Sequence, residues 1–265
     1  MNIILRELRS NLKSLIIWCT SMILLIYVGM VKYSAMSQSK SAFEEMLESI
    51  PEVMKAAFGI GELDIYRIGG FYAIFFLYFV LLGGIHAVML GATIISKEER
   101  DKTADFLFVK PVTREKIITS KIIAAIINII ILNLVTAITS IFFVDMYNTG
   151  DSITVEIIKI MMALFIIQMI FLSLGMVISA LTKSVKRATS VSTAIILGTF
   201  MLSIAIDIYD KIENFKYFTP FKYFKANDLM MGKELELSYI ILSLSIIVSA
   251  LTTTYILYKR RDLHV

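Results

Sequence analysis

Side chains able to carry covalent chemistry are few in this sequence, and they do not converge. Cys19 is the only cysteine and lies in an apolar run, so neither an internal disulfide nor a cysteine metal site can form within one chain. The two histidines are far apart, His86 inside an apolar stretch and His264 at the tail. An ionisable group well inside an apolar span is costly, which makes His86 a functional candidate by default. A neutral imidazole hydrogen-bonded to a neighbouring helix is the cheaper arrangement for it. No G-x-x-x-x-G-K-[ST] loop occurs, so the chain does not hydrolyse ATP by the P-loop route. No H-E-x-x-H pair, zinc pattern, Ser–His–Asp set or pair of catalytic carboxylates is found. The chemistry that remains is recognition, and it concentrates in Lys97–Lys121, KEERDKTADFLFVKPVTREKIITSK. Seven Lys or Arg interleave there with acids, and Ala104, Phe106, Leu107, Phe108 and Val109 sit amid the charge. Pro111 stops any preceding helix, because proline lacks an N–H and its ring clashes with the turn before it. Thr113 and Glu115 read as a new helix start, a capping hydroxyl followed by an acid where the helix dipole favours one. The pattern predicts a short helix, a proline stop and a fresh helix: a compact knob with an apolar anchor and a polar rim, suited to contact with a partner.

The elements that must position this knob are membrane spans. The chain of 265 residues is 57% hydrophobic and only 18% charged, with a mean hydropathy of +0.78. That surplus lies in long apolar runs, the mark of a polytopic membrane protein rather than a soluble domain. Six spans are predicted: Leu15–Val31, Gly69–Ile95, Ile117–Val144, Ile157–Leu181, Ala188–Ile206 and Ser238–Tyr258. The N-terminus does not read as a cleavable signal, since its apolar run is too long and further spans follow. Residues 1–14 read as a basic amphipathic elbow helix in the headgroup plane, with Arg6, Arg9 and Lys13 on one face and Ile4, Leu5, Leu8 and Leu12 on another. Placing the N-terminus inside puts 16 of the 26 Lys and Arg in the inside segments 1–14, 96–121, 182–187 and 259–265. The positive-inside rule favours that orientation, with both termini cytoplasmic, although the outside segment 207–237 holds five lysines. A formal charge of +4 with interleaved signs points to anionic lipid headgroups as partners and away from nucleic acid.

Two outside segments have patterns of their own. In residues 32–68, Phe43, Met46, Leu47 and Ile50 share one helix face. Ser49-Ile50-Pro51-Glu52 then resembles a helix start, and Val53, Met54, Ala57 and Phe58 form a second stripe before Gly59. Two short amphipathic helices on the outer surface are expected, with sealing of the bundle as the simpler role and a substrate-contacting lid as the sharper one. Residues 207–237 are dense in aromatics with lysines between them, a composition suited to the membrane–water interface. Pro220 breaks that segment, and part of it is expected to dip back toward the bilayer, covered by protein. Within the spans, Asn128, Asn133 and Gln168 are expected to face other helices as hydrogen-bonding groups. Lys121 and Lys159, near span ends, are expected to snorkel. Gly83, Gly84 and Gly91 allow close helix approach, within the chain or between chains.

Three stretches together resemble the permease subunit of an ATP-binding-cassette (ABC) transporter of the type-2 exporter class. The first is Glu98, Glu99, Thr103, Leu107, Pro111, Thr113, Arg114 and Lys121, with Lys102 where the family usually has Gly. The second is Pro51-Glu52 with Phe58-Gly59, and the third is Thr219-Pro220-Phe221-Lys222-Tyr223-Phe224. With six spans and a basic N-terminal helix, the resemblance covers nearly the whole chain as one permease domain, 1–265. It implies an all-α polytopic fold in the cell membrane, paired with a second permease chain (a copy or a different chain). It also implies a separate cytoplasmic ATPase subunit, which would hold the ATP and Mg; this chain would bind no cofactor. Residues 96–116 would then be the coupling segment, seated on the ATPase through Glu98, Glu99, Thr103, Phe106, Leu107, Phe108, Pro111 and Arg114. His86, Asn128 and Gln168 are the pathway or packing candidates. A methionine-rich, aromatic interior suits a hydrophobic or amphipathic cargo, as in drug or peptide efflux. The main competing reading is a scaffold or sensor that binds an ATPase for signalling or resistance without transport. An ion-coupled carrier predicts intramembrane acids, and a membrane-embedded enzyme predicts clustered catalytic polar groups; the sequence shows neither.

Overall fold

The computed structural model describes residues 3–38, 51, 67–95, 113–182 and 184–260. Six helices are long and apolar enough to cross a membrane. They are α1 (Ile3–Gln38), α2 (Ile68–Ile94), α3 (Arg114–Tyr147), α4 (Thr154–Leu181), α5 (Val185–Ile208) and, after a short helix α6 (Ala226–Met230), α7 (Leu237–Arg260). No strand occurs among the described residues. In a medium without water every backbone polar group must be satisfied internally, and uninterrupted helices of this length do that.

Successive spans run in opposite directions. Glu7 of α1, Ile94 of α2, Lys121 of α3 and Lys259 of α7 come together at one end, hereafter the base. The opposite end, the rim, carries the turns between α5 and α7. The bundle is built around α2 and α4, the two most buried spans, which run parallel to each other. A Cβ on Gly91 would lie 2.3 Å from the Leu172 carbonyl oxygen, and one on Gly175 would lie 2.3 Å from that of Val88. The two backbones therefore touch reciprocally, and only glycine fits at either position. The close approach anticipated at Gly91 is thus made within the chain.

The structure departs from sequence expectation in several places. The elbow is not a separate element: Ile3–Gln38 is one continuous helix of 36 residues. At about 1.5 Å per residue it is roughly 54 Å long, well beyond the ~30 Å hydrocarbon core. Arg6, Arg9 and Lys13 occupy its first turns, so the basic stretch extends the first span instead of turning away from it. The segment after the first span also begins later than expected, since 32–38 are helical. The remainder of the two amphipathic helices expected in 32–68 lies outside the described residues, apart from Pro51.

At the rim, the chain leaves α5 through two 3₁₀ helices, Asp210–Phe218 and Pro220–Lys222. The expected break at Pro220 is present, and Pro220 opens the second of these turns. The hydroxyl of the fully buried Thr219 donates to the Thr199 carbonyl at 2.9 Å. Thr199 lies nine residues before the end of α5, about 14 Å along its axis. The turn is therefore sunk below the helix ends, with the Phe221 ring 5.5 Å from that of Phe171 and 5.3 Å from that of Phe200. Its backbone is covered by protein, the condition for irregular structure at such depth.

Candidate functional site

The segment Lys97–Lys110 is joined in sequence to the end of α2 and the start of α3. Glu98, Glu99, Thr103, Phe106, Leu107 and Phe108 of that segment, and Pro111 after it, lie outside the described residues. Both attachments are described, and both are anchored. Thr113 caps α3 as its residue type predicts, its hydroxyl accepting from the Lys116 N–H at 3.3 Å, with Glu115 in the first turn. Arg114 donates to the Lys259 carbonyl at 3.1 Å, Lys259 pairs with Glu115, and Thr119 and Tyr255 share a hydrogen bond of 2.7 Å. The start of α3 is thereby tied to the end of α7.

The other attachment is held by buried charge. Lys121 was expected to snorkel; instead it is fully buried, and its ammonium donates to the Ile94 carbonyl at 2.6 Å. That carbonyl belongs to the last turn of α2, where the helix dipole favours a cation and no following turn supplies an N–H to donate to it. The same ammonium lies 3.6 Å from the Glu7 carboxylate of α1, which is 2% exposed. Arg6 donates to the same Glu7 oxygen at 2.9 Å, and Asn11 donates to the Glu7 carbonyl at 3.0 Å. A single lysine thus joins α1, α2 and α3 at the base. Arg9 and Lys13 remain exposed at the surface of the same helix. Sequence reasoning missed Glu7 as a site residue. Its only signal was an acid standing alone among the basic residues of the first turns.

The interior polar residues separate into two groups. Asn133 of α3 donates to the Gln168 side chain of α4 at 3.0 Å, the interhelical bond expected of them. The Gln168 amide nitrogen is buried without a partner, and it faces α2 where Gly83 leaves room: a Cβ there would meet it at 2.8 Å. Asn128 does not bridge helices by its amide, which instead donates to the Ala124 carbonyl of its own helix at 2.8 Å. His86 is buried, and its Nδ1 has no hydrogen-bond partner. The expected hydrogen bond to a neighbouring helix is absent at that nitrogen, and the ring packs edge-on against Trp18 of α1, with centroids 5.5 Å apart. Lys159 was also expected to snorkel. Its ammonium bonds the Gly232 carbonyl at 3.2 Å and the exposed Glu234 carboxylate at 2.6 Å, fastening the turn that precedes α7.

The arrangement offers no centre for bond-making chemistry among the described residues. What it can do is transmit displacement. A push on the segment between Ile95 and Thr113 reaches α1, α2 and α3 through Lys121, α7 through Arg114 and Glu115, and α4 through the glycine contact with α2. A family model described as "ABC-2 family transporter protein" matches residues 1–263 of the chain. A comparison with curated proteins finds no match.

Proposed function

Because the chain belongs to the ABC-2 transporter family and is its multi-pass membrane permease component, we propose that it is the permease of an exporter driven by a separate cytoplasmic ATPase. In this reading the base faces the cytoplasm of the cell, both termini with it. The ATPase holds ATP and Mg²⁺ and seats on residues 96–116. Two permease chains pair, and cargo of hydrophobic or amphipathic character crosses between them.

The observation that supports this most is the anchoring of both ends of that segment by the Lys121 and Arg114 contacts. A loop with only a solvating role gains nothing from a buried ammonium on one attachment. Buried charge is costly unless paired and hydrogen-bonded, and it stays only where the geometry is held closely. Closure of the ATPase subunits would press on Phe106, Leu107 and Phe108. The rigid base would convert that pressure into a tilt of α2 with α4 and of α3 with α1.

Gentle purification of the tagged chain with its associated proteins tests the proposal. A stoichiometric nucleotide-binding subunit with ATPase activity is the expected result. Phe106→Asp and Leu107→Asp are each expected to lose that subunit while the permease stays inserted. Full retention of ATPase binding by both variants would overturn the seating on this segment. An associated ATPase without any cargo movement in vesicles would favour the sensing role over export.

A further inference from the structure

The rim holds a feature that transmission through the base does not use. Between the 3₁₀ turns, α6 and the start of α7 lies a cavity of about 600 Å³. Its apolar lining includes Ile206, Phe224, Leu229 and Leu235, and one wall is made of tyrosines. The rings of Tyr223 and Tyr239 stack at 5.2 Å with planes 15° apart, and Tyr217 lies 6.2 Å from Tyr239. The Tyr223 hydroxyl donates to the Tyr217 carbonyl at 2.7 Å, and burial pushes its pKa up to about 12, so Tyr223 stays uncharged at ordinary pH.

Most of the charge around the cavity is already spent. Lys216 bonds Glu213 at 2.8 Å, Lys233 bonds Asp228 at 2.6 Å, and Lys222 pairs with Asp207. Two lining groups of opposite sign are left over. Lys225, two residues after Tyr223, bonds to no acceptor through its ammonium and feels Glu213 only electrostatically. Glu236, three residues before Tyr239, has only a 3.4 Å contact from the Ser238 hydroxyl. A cation and an anion without ion-pair partners therefore line one cavity with a stacked aromatic pair.

We propose that this cup binds a zwitterion with an ammonium and an acidic group close together. Lys225 would take the acidic end. Glu236 and the tyrosine faces would take the ammonium, since aromatic rings attract cations through their quadrupole. A pure cation or pure anion would leave one of the two charges unmatched. The chemistry is shared by lipid headgroups and by water-soluble zwitterions. The proposal does not depend on how the base couples to an ATPase.

The test is calorimetric titration of the full chain in phosphatidylglycerol nanodiscs with phosphocholine, choline chloride or inorganic phosphate. Saturable phosphocholine binding is expected, with each half binding at least about tenfold more weakly, a loss of about 1.4 kcal/mol. Glu236→Gln should weaken phosphocholine and choline alike, and Lys225→Gln should weaken phosphocholine and phosphate. Both side chains are exposed, so the helical circular dichroism should not change. Tyr239→Phe should retain binding and Tyr239→Ala should lose it. Absence of saturable phosphocholine binding, equal affinity for choline alone, or unchanged binding in both charge variants would overturn the proposal. In phosphatidylcholine nanodiscs, disappearance of phosphocholine binding would support the cup and identify a lipid headgroup as its occupant. Unchanged binding there would support it with a soluble zwitterion as occupant.

Discussion

The two ends of the bundle both carry ion pairs, and they use them in opposite ways. At the base, Lys121 and Glu7 are 0% and 2% exposed and come from different helices. At the rim, Lys233 and Asp228 are 63% and 33% exposed and sit five residues apart, and Lys216 and Glu213 are 30% and 66% exposed and sit three apart. Water screens the rim pairs, and each is worth little. The base pair is shielded from water, so its attraction and its desolvation cost are both large and its geometry must be held. The difference separates a rigid joint from a surface whose charges can rearrange around something else.

The sharpest break of this comparison is Lys121→Met. It leaves Glu7 buried beside a smaller set of cations and leaves the Ile94 carbonyl without its donor. A loss of about 3–5 kcal/mol is expected, read as a lower unfolding midpoint in detergent. The double variant with Glu7→Gln should recover part of it, and a double variant as unstable as the single one would show that the pair is not the source. Lys233→Met at the rim is the control and should shift the midpoint by less than about 1 kcal/mol.

Next in size is Gly175→Ala, which places a methyl against the backbone of α2. The two helices would have to separate, at a cost of about 1–3 kcal/mol. Gly198, around which nothing lies within 4 Å, should accept alanine without loss. Equal effects at the two positions would remove the backbone contact as a structural joint.

Smaller again is Asn133→Ala, which removes the bond to Gln168. Interhelical hydrogen bonds of this kind contribute about 0.6 kcal/mol on average, so a midpoint shift near the limit of detection is expected. A shift as large as that of Lys121→Met would mean that the centre of the bundle, not the base, is its joint.

The smallest effect concerns pH at the rim. The hydrogen bond from Lys216, then its charge, hold the Glu213 carboxyl below its ordinary pKa. A carboxyl held low stabilises the fold above its ordinary pKa, and the gain is lost as pH falls through the lowered one. The small lead in stability of the natural chain over Glu213→Gln should therefore stay constant between pH 7 and 5 and shrink only at lower pH. A lead that changes within that interval would contradict the assignment.

The spans were legible in the sequence because a bilayer demands contiguous apolar residues, and contiguity is what a sequence displays directly. The cap at Thr113 and the break at Pro220 were legible for a related reason: each is set by local backbone chemistry. The joint at the base was not. Glu7 and Lys121 belong to different helices, and nothing local marks a lysine near a span end as buried rather than snorkelling. The glycines announced a close approach without naming its partner; Gly91 meets the Leu172 carbonyl of α4, and Gly175, which makes the reciprocal contact, carried no signal of its own. Asn128 shows the same gap in reverse, since its composition suits a bridge and its rotamer satisfies its own helix.

Trp18 is the sole tryptophan of the chain, and it rests edge-on against His86 across the junction of α1 and α2. Indole emission responds to the polarity and quenching groups a few ångströms away. The protein consequently carries an intrinsic optical gauge at the seam between the helix that begins the bundle and the helix that leads into the knob. Any tilt that parts those two helices would register as a change in ultraviolet fluorescence, in real time and without a label.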